Sequence, residues 1–154
     1  MIPHERVVEF EQSVFGSVLI NDAVFDRVAV TLEARDFVTR THQIIFQTIE
    51  AMYAESKPID LLSLTAELQR AGYGEIVRPE YVAKLTNVVP STANVDYYIG
   101  QVQEASRRRR LLALARKAQN QLDGGADEDQ VIDGMETALV ELQSGKRHAG
   151  YQPA

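Results

Sequence analysis

The sequence predicts an all-α protein, a compact multi-helix head followed by a long antiparallel helical hairpin. Three observations carry this. Apolar residues recur with helical spacing along most of the chain. No alternating apolar–polar segment of useful length occurs, so no strand is expected. From about Asn94 to Leu122 no proline interrupts, and a helix of that length, roughly 40 Å at ~1.5 Å per residue, cannot fit inside a small globule.

The elements follow in order. Val7, Phe10, Val14 and Val18 form one stripe, widened by Phe15 and Leu19. Asn21 or Asp22 can cap a second helix carrying Val24, Phe25 and Val28. Ile44, Ile45, Thr48, Ile49, Met52 and Tyr53 give a third helix one broad buried face, starting near Thr39 or Thr41. Pro58 stops the chain, and Asp60 can cap a helix with Leu61, Leu64 and Leu68. Gly72 suits the left-handed residue behind that helix. Pro79 suits the first position of a short helix with Tyr81, Val82 and Leu85. After Pro90-Ser91, Val95, Ile99, Val102, Ser106, Leu112, Ala115 and Leu122 can line one face of the long helix. Asp123–Asp127 is a turn, with Asp127 or Asp129 capping a return helix whose face is Val131, Ile132, Met135, Leu139 and Leu142. The expected units are a head over 1–90, a hairpin over 91–145 and a linker beginning at 146–154.

Composition excludes several function classes. The 154 residues hold 22 acidic and 16 basic side chains and no cysteine. Disulfides, zinc ribbons, iron–sulfur clusters and thiol catalysis are therefore ruled out. A net charge of −6 argues against nonspecific coating of nucleic acid. The early glutamates Glu5, Glu9 and Glu11 do not suit a secretory signal, and Leu111–Ala115 is the longest strongly apolar run, so a soluble, intracellular protein is expected. The charge is unevenly spread: residues 1–90 carry 8 basic and 13 acidic residues, 91–122 carry 6 and 2, and 123–154 carry 2 and 7.

Catalytic motifs are absent. Gly145-Lys146 is the only Gly-Lys pair, but Val140 stands where a phosphate loop needs glycine and Arg147 where it needs a hydroxyl. His4, His42 and His148 have no metal-ligand spacing, and Asp127-Glu128-Asp129 lacks the rest of a calcium loop. No serine stands in a nucleophile elbow. No catalytic, cofactor-binding or metal residue is assigned to this segment.

Arg107-Arg108-Arg109-Arg110 is the most conspicuous feature. At ~100° per residue the four positions cover most of a helix circumference, so they cannot all face solvent on a packed arm. Two readings stand: a docking patch for an acidic partner or DNA, or neutralisation by the acidic return helix, with the arginine stems lying on apolar neighbours. His42 is expected to satisfy the core or cap its helix, and Tyr97 and Tyr98 to join head–arm packing. Leu111 and Leu114 lie off the main stripe and would stay exposed without a second copy. Val102, Leu111, Leu112, Leu114, Val131, Met135 and Leu139 are the candidate oligomer contacts.

Laid out in order, the chain resembles the N-terminal domain of DnaB-type replicative helicases. Pro3-His4 and Glu9-Phe10-Glu11-Gln12-Ser13-Val14-Phe15-Gly16 resemble the family's E-A-E-Q-S-V-L-G region. Asp36-Phe37 with His42-Gln43-Ile44-Ile45-Phe46 resembles its D-F…H-x-x-I-F, and Pro58-Ile59-Asp60-Leu61-Leu62-Ser63 its P-I-D-l-v-T. Tyr81–Leu85 is similar to the Y-L-a-x-L helix, and Pro90–Tyr98 to P-S-a-a-N-i-x-x-Y. Arg109 falls at the arginine in the middle of the hairpin helix, and Tyr151-Gln152-Pro153 resembles the stretch after the linker. Any one motif is weak; six in register over residues 3–145 are specific. Two departures stand out: Arg78-Pro79 replaces the usual Gly-Gly, and Arg107 and Arg108 replace apolar residues before the hairpin arginine.

The resemblance implies a collar module. Such domains dimerise, three dimers crown a hexameric ring, and the collar docks primase and the helicase loader and meets DNA only indirectly. ATP, magnesium and strand separation belong to a RecA-like domain absent from this segment, so the segment itself is non-catalytic while a full-length parent would be an ATP-dependent helicase. The implied location is the cytoplasm, at a bacterial or phage replication fork, with no membrane. Alternatives are a primase C-terminal helicase-binding domain or a free-standing helicase-regulating adaptor. An independent helix-turn-helix DNA binder fits poorly with a head of net −5.

Overall fold

Prolines, short polar caps and left-handed turns cut the chain into seven α-helices, with no strand among the described residues. The computed structural model describes residues 2–144. The helices are α1 (His4–Ile20), α2 (Phe25–Thr31), α3 (Arg40–Ala54), α4 (Leu61–Arg70), α5 (Pro79–Leu85), α6 (Val95–Asp123) and α7 (Glu128–Ser144). Short 3-10 turns at Asp22–Val24 and Ala34–Asp36 precede α2 and α3.

Local chemistry accounts for the boundaries. Asn21 accepts from the Ala23 N–H, so it caps the 3-10 turn that feeds α2 rather than α2 itself. The Thr39 hydroxyl accepts from the His42 N–H and makes Thr39 the cap of α3. Asp60 and Ser63 form a reciprocal capping box on α4, the carboxylate accepting the Ser63 N–H at 2.8 Å. Pro79 opens α5. Three helix ends share the Schellman pattern, in which the N–H two residues past the cap bonds back five residues. Lys57 bonds Met52, Tyr73 bonds Leu68 and Ala126 bonds Gln121. The left-handed residue is Gly72 in the second and Gly125 in the third, at φ 87° and 86°. In the first it is Ser56, the one positive-φ residue other than glycine among the described residues.

In the head, packing follows the predicted stripes apart from Leu61 and Tyr53, which stay partly exposed. On the hairpin, Leu112, Ala115, Leu122, Ile132 and Leu139 of the predicted faces are exposed, because two helices alone cover only a narrow line of each other. Phe15, Phe25, Phe37 and Phe46 are fully buried, with Phe15 stacked on Phe37 at 4.9 Å between centroids. The core does not stop at Pro90: Val95, Ile99 and Val102 on the first turns of α6 are fully buried in it, and α6 packs most extensively on α1. α1 also meets α5 so closely that a Cβ on Gly16 would stand 2.7 Å from the Leu85 carbonyl oxygen. Phe10 contacts both Tyr97 and Tyr98, which places these tyrosines in the head–arm packing, Tyr97 partly exposed.

Beyond Arg110, the last residue of α6 paired with the head, the long helix runs on as one arm of the hairpin. Over 29 residues α6 is about 43 Å long at ~1.5 Å per residue. It packs against the returning α7, and among the described residues from 107 onward the buried apolar side chains of this hairpin are Ala118 and Val131. Asp127 accepts from the Gln130 N–H at the start of α7. The expected linker from Lys146, the end of α7 at Gly145 and the stretch around Tyr151 lie outside the described residues.

Candidate assembly surface and head–arm junction

Two features stand where the arm departs, a buried polar junction and an exposed apolar projection. The junction is built from residues that break the apolar pattern. Glu11 lies on the buried stripe of α1, four residues after Val7 and three before Val14, and its side chain has no exposure. One carboxylate oxygen meets His42 Nδ1 at 2.7 Å, and the other accepts the Val38 N–H at 2.9 Å. His42 Nε2 stands 2.6 Å from the Tyr81 hydroxyl, which accepts from Gln12 Nε2 at 3.0 Å. If Nδ1–H donates to Glu11 and the tyrosine donates to Nε2, the imidazole and phenol donors are both used. His42 thus satisfies the core, and it ties α1, α3 and α5 together. Burial pushes the Tyr81 hydroxyl above its ordinary pKa, the Gln12 hydrogen bond opposing and the Glu11 charge adding to the rise.

Asp36 is the second buried carboxylate. It accepts the Glu33 N–H at 2.6 Å and the Ser106 hydroxyl at 2.7 Å. Its backbone carbonyl accepts Arg109 Nη2 at 2.9 Å, and Arg110 Nη2 lies 4.0 Å from its carboxylate. These contacts fasten the middle of α6 to the turn before α3. Burial pulls the Arg109 guanidinium below its ordinary pKa, with Glu11 and Asp36 opposing and Arg110 adding to the fall; it remains cationic.

The four arginines therefore divide, as 100° steps require. Arg109 and Arg110 turn to the head, Arg107 is half-buried and Arg108 is exposed. The ion-pair partner of Arg110 is Asp36 of the head and not an acidic residue of the return helix. Arg108, Arg116 and Lys117 make no ion pair within the described residues. Arg108 and Arg109, with Ile2, His4, Val7 and Leu112, line a cleft of about 260 Å3 at the junction.

The apolar candidates divide too. Val102 is buried in the head and Val131 against α6, so neither is open to a second chain in this structure. Leu111 and Leu112 are 49% and 42% exposed, and Leu139 is 38% exposed, while Leu114 and Met135 are half-buried. Ile132 at 50%, Val140 at 61% and Leu122 at 48% join the exposed set. Sequence reasoning left Glu11 and Asp36 unassigned. The available signal was an acidic residue at a stripe position in α1.

No group of three or more His, Asp or Glu among the described residues is placed to hold a metal, and no described helix is long and apolar enough to cross a membrane. A family model for the DnaB-like helicase N-terminal domain matches residues 3–104. The replicative DNA helicase DnaB of Geobacillus stearothermophilus is 33% identical over 147 residues, covering 93% of this chain and 32% of the relative. That of Leifsonia xyli is 34% identical over 146 residues, covering 92% and 30%. The chain thus spans about a third or less of the length of these curated relatives. The crystal structure of the N-terminal domain of DnaB helicase from Mycobacterium tuberculosis superposes with a TM-score of 0.81 at 28% identity, over 87% of this chain and 96% of that one. The corresponding Helicobacter pylori domain, described together with its interactions with primase, gives a TM-score of 0.70 at 19% identity over 79% and 99%, a likeness of fold. With the all-helical head, the hairpin and the family match in agreement, the chain belongs to the DnaB-like helicase N-terminal domain family.

Proposed function

We propose that this chain is the assembly and docking module of a hexameric replicative DNA helicase, self-associating through its hairpin and receiving primase and the helicase loader. The observation that carries the reading is the apolar surface left open on a two-helix projection: Leu111, Leu112, Leu122, Ile132, Leu139 and Val140 are all more than a third exposed. Such a surface on a helical arm is what a second copy covers. Chemistry in this reading lies elsewhere, with ATP and magnesium in a RecA-like motor domain and this segment contributing architecture in the bacterial or phage-infected cytoplasm. The net charge of −6 supports contact with DNA only through that larger assembly.

Sedimentation of the chain at tens of micromolar tests the assembly role. A dimer or larger species is expected, and Leu111→Asp should shift it towards monomer by placing a charge in the covered surface. A wild-type chain that stays at 17.2 kDa throughout refutes the reading. Docking is tested by titrating a primase helicase-binding domain against the wild type and against Arg108→Ala. Absence of any binding removes the primase role.

A further inference from the structure

The cleft at the head–arm junction combines apolar walls with cations. Ile2 and Val7 come from the start of α1, Val38 from the segment before α3 and Leu112 from α6. Val7 is buried, Ile2 and Val38 are half-buried, and Leu112 is 42% exposed. Arg108 and Arg109 line the same cleft. Arg108 is exposed and makes no ion pair within the described residues. Arg109 donates from Nη2 to the Asp36 carbonyl at 2.9 Å, which uses one of the five donors in its planar fork. Among the described lining residues Glu104 is the one carboxylate; it is exposed and pairs with neither arginine. α1 begins at His4 with no side-chain cap, so the positive end of its dipole adds to the field on this side.

Size and charge narrow the occupant. The cleft holds about 260 Å3, below the ~300–1,000 Å3 of ordinary small-molecule sites, and suits one large side chain. An aromatic ring uses both features, since its body covers the apolar walls and a guanidinium packs on its face. Anions are favoured beside it because the arginines outnumber the lone carboxylate. A nucleic-acid strand would leave the apolar walls unused and would meet a head of 8 basic and 13 acidic residues.

We propose that this cleft seats one aromatic side chain from an acidic peptide segment of another protein, with the flanking carboxylates of that segment on Arg108 and Arg109. This gives the docking role proposed above a place and a chemistry, and it rests on that role. The apolar seat fixes where the segment binds, and the arginines select its charge.

The chain contains no tryptophan, so the indole emission of a tryptophan peptide is read without background. The probe is a peptide with blocked ends, a central tryptophan and two glutamates on each side. It is titrated with the full chain at low micromolar concentration, below the range in which self-association is sought, because Leu112 is shared with that surface. Emission should move to shorter wavelength and saturate at one peptide per chain. Raising sodium chloride from about 50 to about 500 mM should weaken binding about tenfold. Arg108→Glu should weaken it by about tenfold or more and make the lysine counterpart of the peptide the better ligand. Ala105→Phe puts a ring into the cleft without changing any charge, and should abolish the emission shift. Far-UV circular dichroism checks the fold of both variants, and the exposed Arg108 keeps the test decisive should Ala105→Phe unfold. No shift with the wild type, equal binding of a peptide with alanine for tryptophan, or indifference to Arg108→Glu each overturns the proposal. So does an oligothymidylate that binds in an Arg108-dependent way where the peptide does not. A peptide that binds while a primase helicase-binding domain does not supports the cleft and removes the primase role; the reverse result overturns the cleft alone.

Discussion

Replacing Asp36 with alanine is expected to be among the costliest single changes in this fold. The Asp36 side chain is 5% exposed, and its carboxylate accepts from the Glu33 N–H at 2.6 Å and the Ser106 hydroxyl at 2.7 Å. Hydrogen bonds to a charged group contribute about 1.5–3 kcal/mol each, and a buried donor left without a partner costs about 1–3 kcal/mol. Asp36→Ala strands the Ser106 hydroxyl, which has no exposure, and it removes the anion facing Arg110, whose Nε is already buried without a hydrogen bond. The expected loss is about 3–5 kcal/mol, the range for removing one partner of a buried charged group. Ser106→Ala leaves Asp36 with Glu33 and Arg110 and should cost about 1–2 kcal/mol. The two changes should not add: the double variant should lie close to Asp36→Ala, with a coupling of about 1 kcal/mol or more. Urea unfolding at one fixed protein concentration reads all four forms, the fixed concentration being needed because association itself stabilises. A loss below about 1 kcal/mol for Asp36→Ala, or strict additivity, would refute the claim that this carboxylate fastens head to arm.

Three further outcomes follow from local geometry. Gly16→Ala drives a Cβ to 2.7 Å from a backbone oxygen that no rotamer change can move, so α1 and α5 must separate; a loss of about 1–3 kcal/mol in urea unfolding is expected, and an unchanged midpoint would contradict the close approach. Ser56→Gly relieves a left-handed residue at φ 57° in a turn that elsewhere uses glycine; the melting temperature should rise, by the equivalent of about 1 kcal/mol. Asp60→Ala should cost about 1 kcal/mol at neutral pH through loss of the α4 cap. The Ser63 N–H, then the Ser63 side chain, hold the Asp60 carboxyl below its ordinary pKa of 3.8. Because the folded-state pKa is depressed, the contribution is complete above the ordinary value and disappears as pH falls through the folded one. The stability gap between Asp60→Ala and wild type should therefore be constant near neutrality and close in acid below about pH 4; a gap that widened in acid would overturn the assignment.

Much of this architecture is written in punctuation that acts locally. Thr39, Asp60, Gly72 and Pro79 each satisfy or terminate a backbone run within a few residues, so their roles can be read without tertiary information. The long helix is legible for the same reason, since nothing between Asn94 and Leu122 interrupts it. Ser56 escapes such reading because serine carries no preference for positive φ; the Lys57–Met52 and Ser56–Tyr53 bonds impose it. The Glu11–His42–Tyr81 chain escapes because its members are 31 and 39 residues apart and meet only when α1, α3 and α5 pack. Its trace in sequence is an acidic residue in register with Val7, Val14 and Val18, where solvation is impossible and a partner is required.

The hairpin charges show which scale of energy decides. Segment totals set a basic helix beside an acidic one and suggest that they neutralise each other. Antiparallel helices meet along a narrow apolar line, here Ala118 and Val131, and the flanking charged side chains gain only about 0–1 kcal/mol from each exposed pair. A buried carboxylate without a partner costs several kcal/mol. Arg109 and Arg110 accordingly turn to Asp36, and Arg108 and Arg116 are left outward. The same ordering explains why the head is closed and the arm is open. Inside the head every strong demand of Glu11 and Asp36 is met by the chain itself. On the arm, exposed apolar side chains such as Leu111 and Ile132 stand beside charges such as Arg108 and Arg116 that make no ion pair within the described residues, and the proposed self-association rests on that surface.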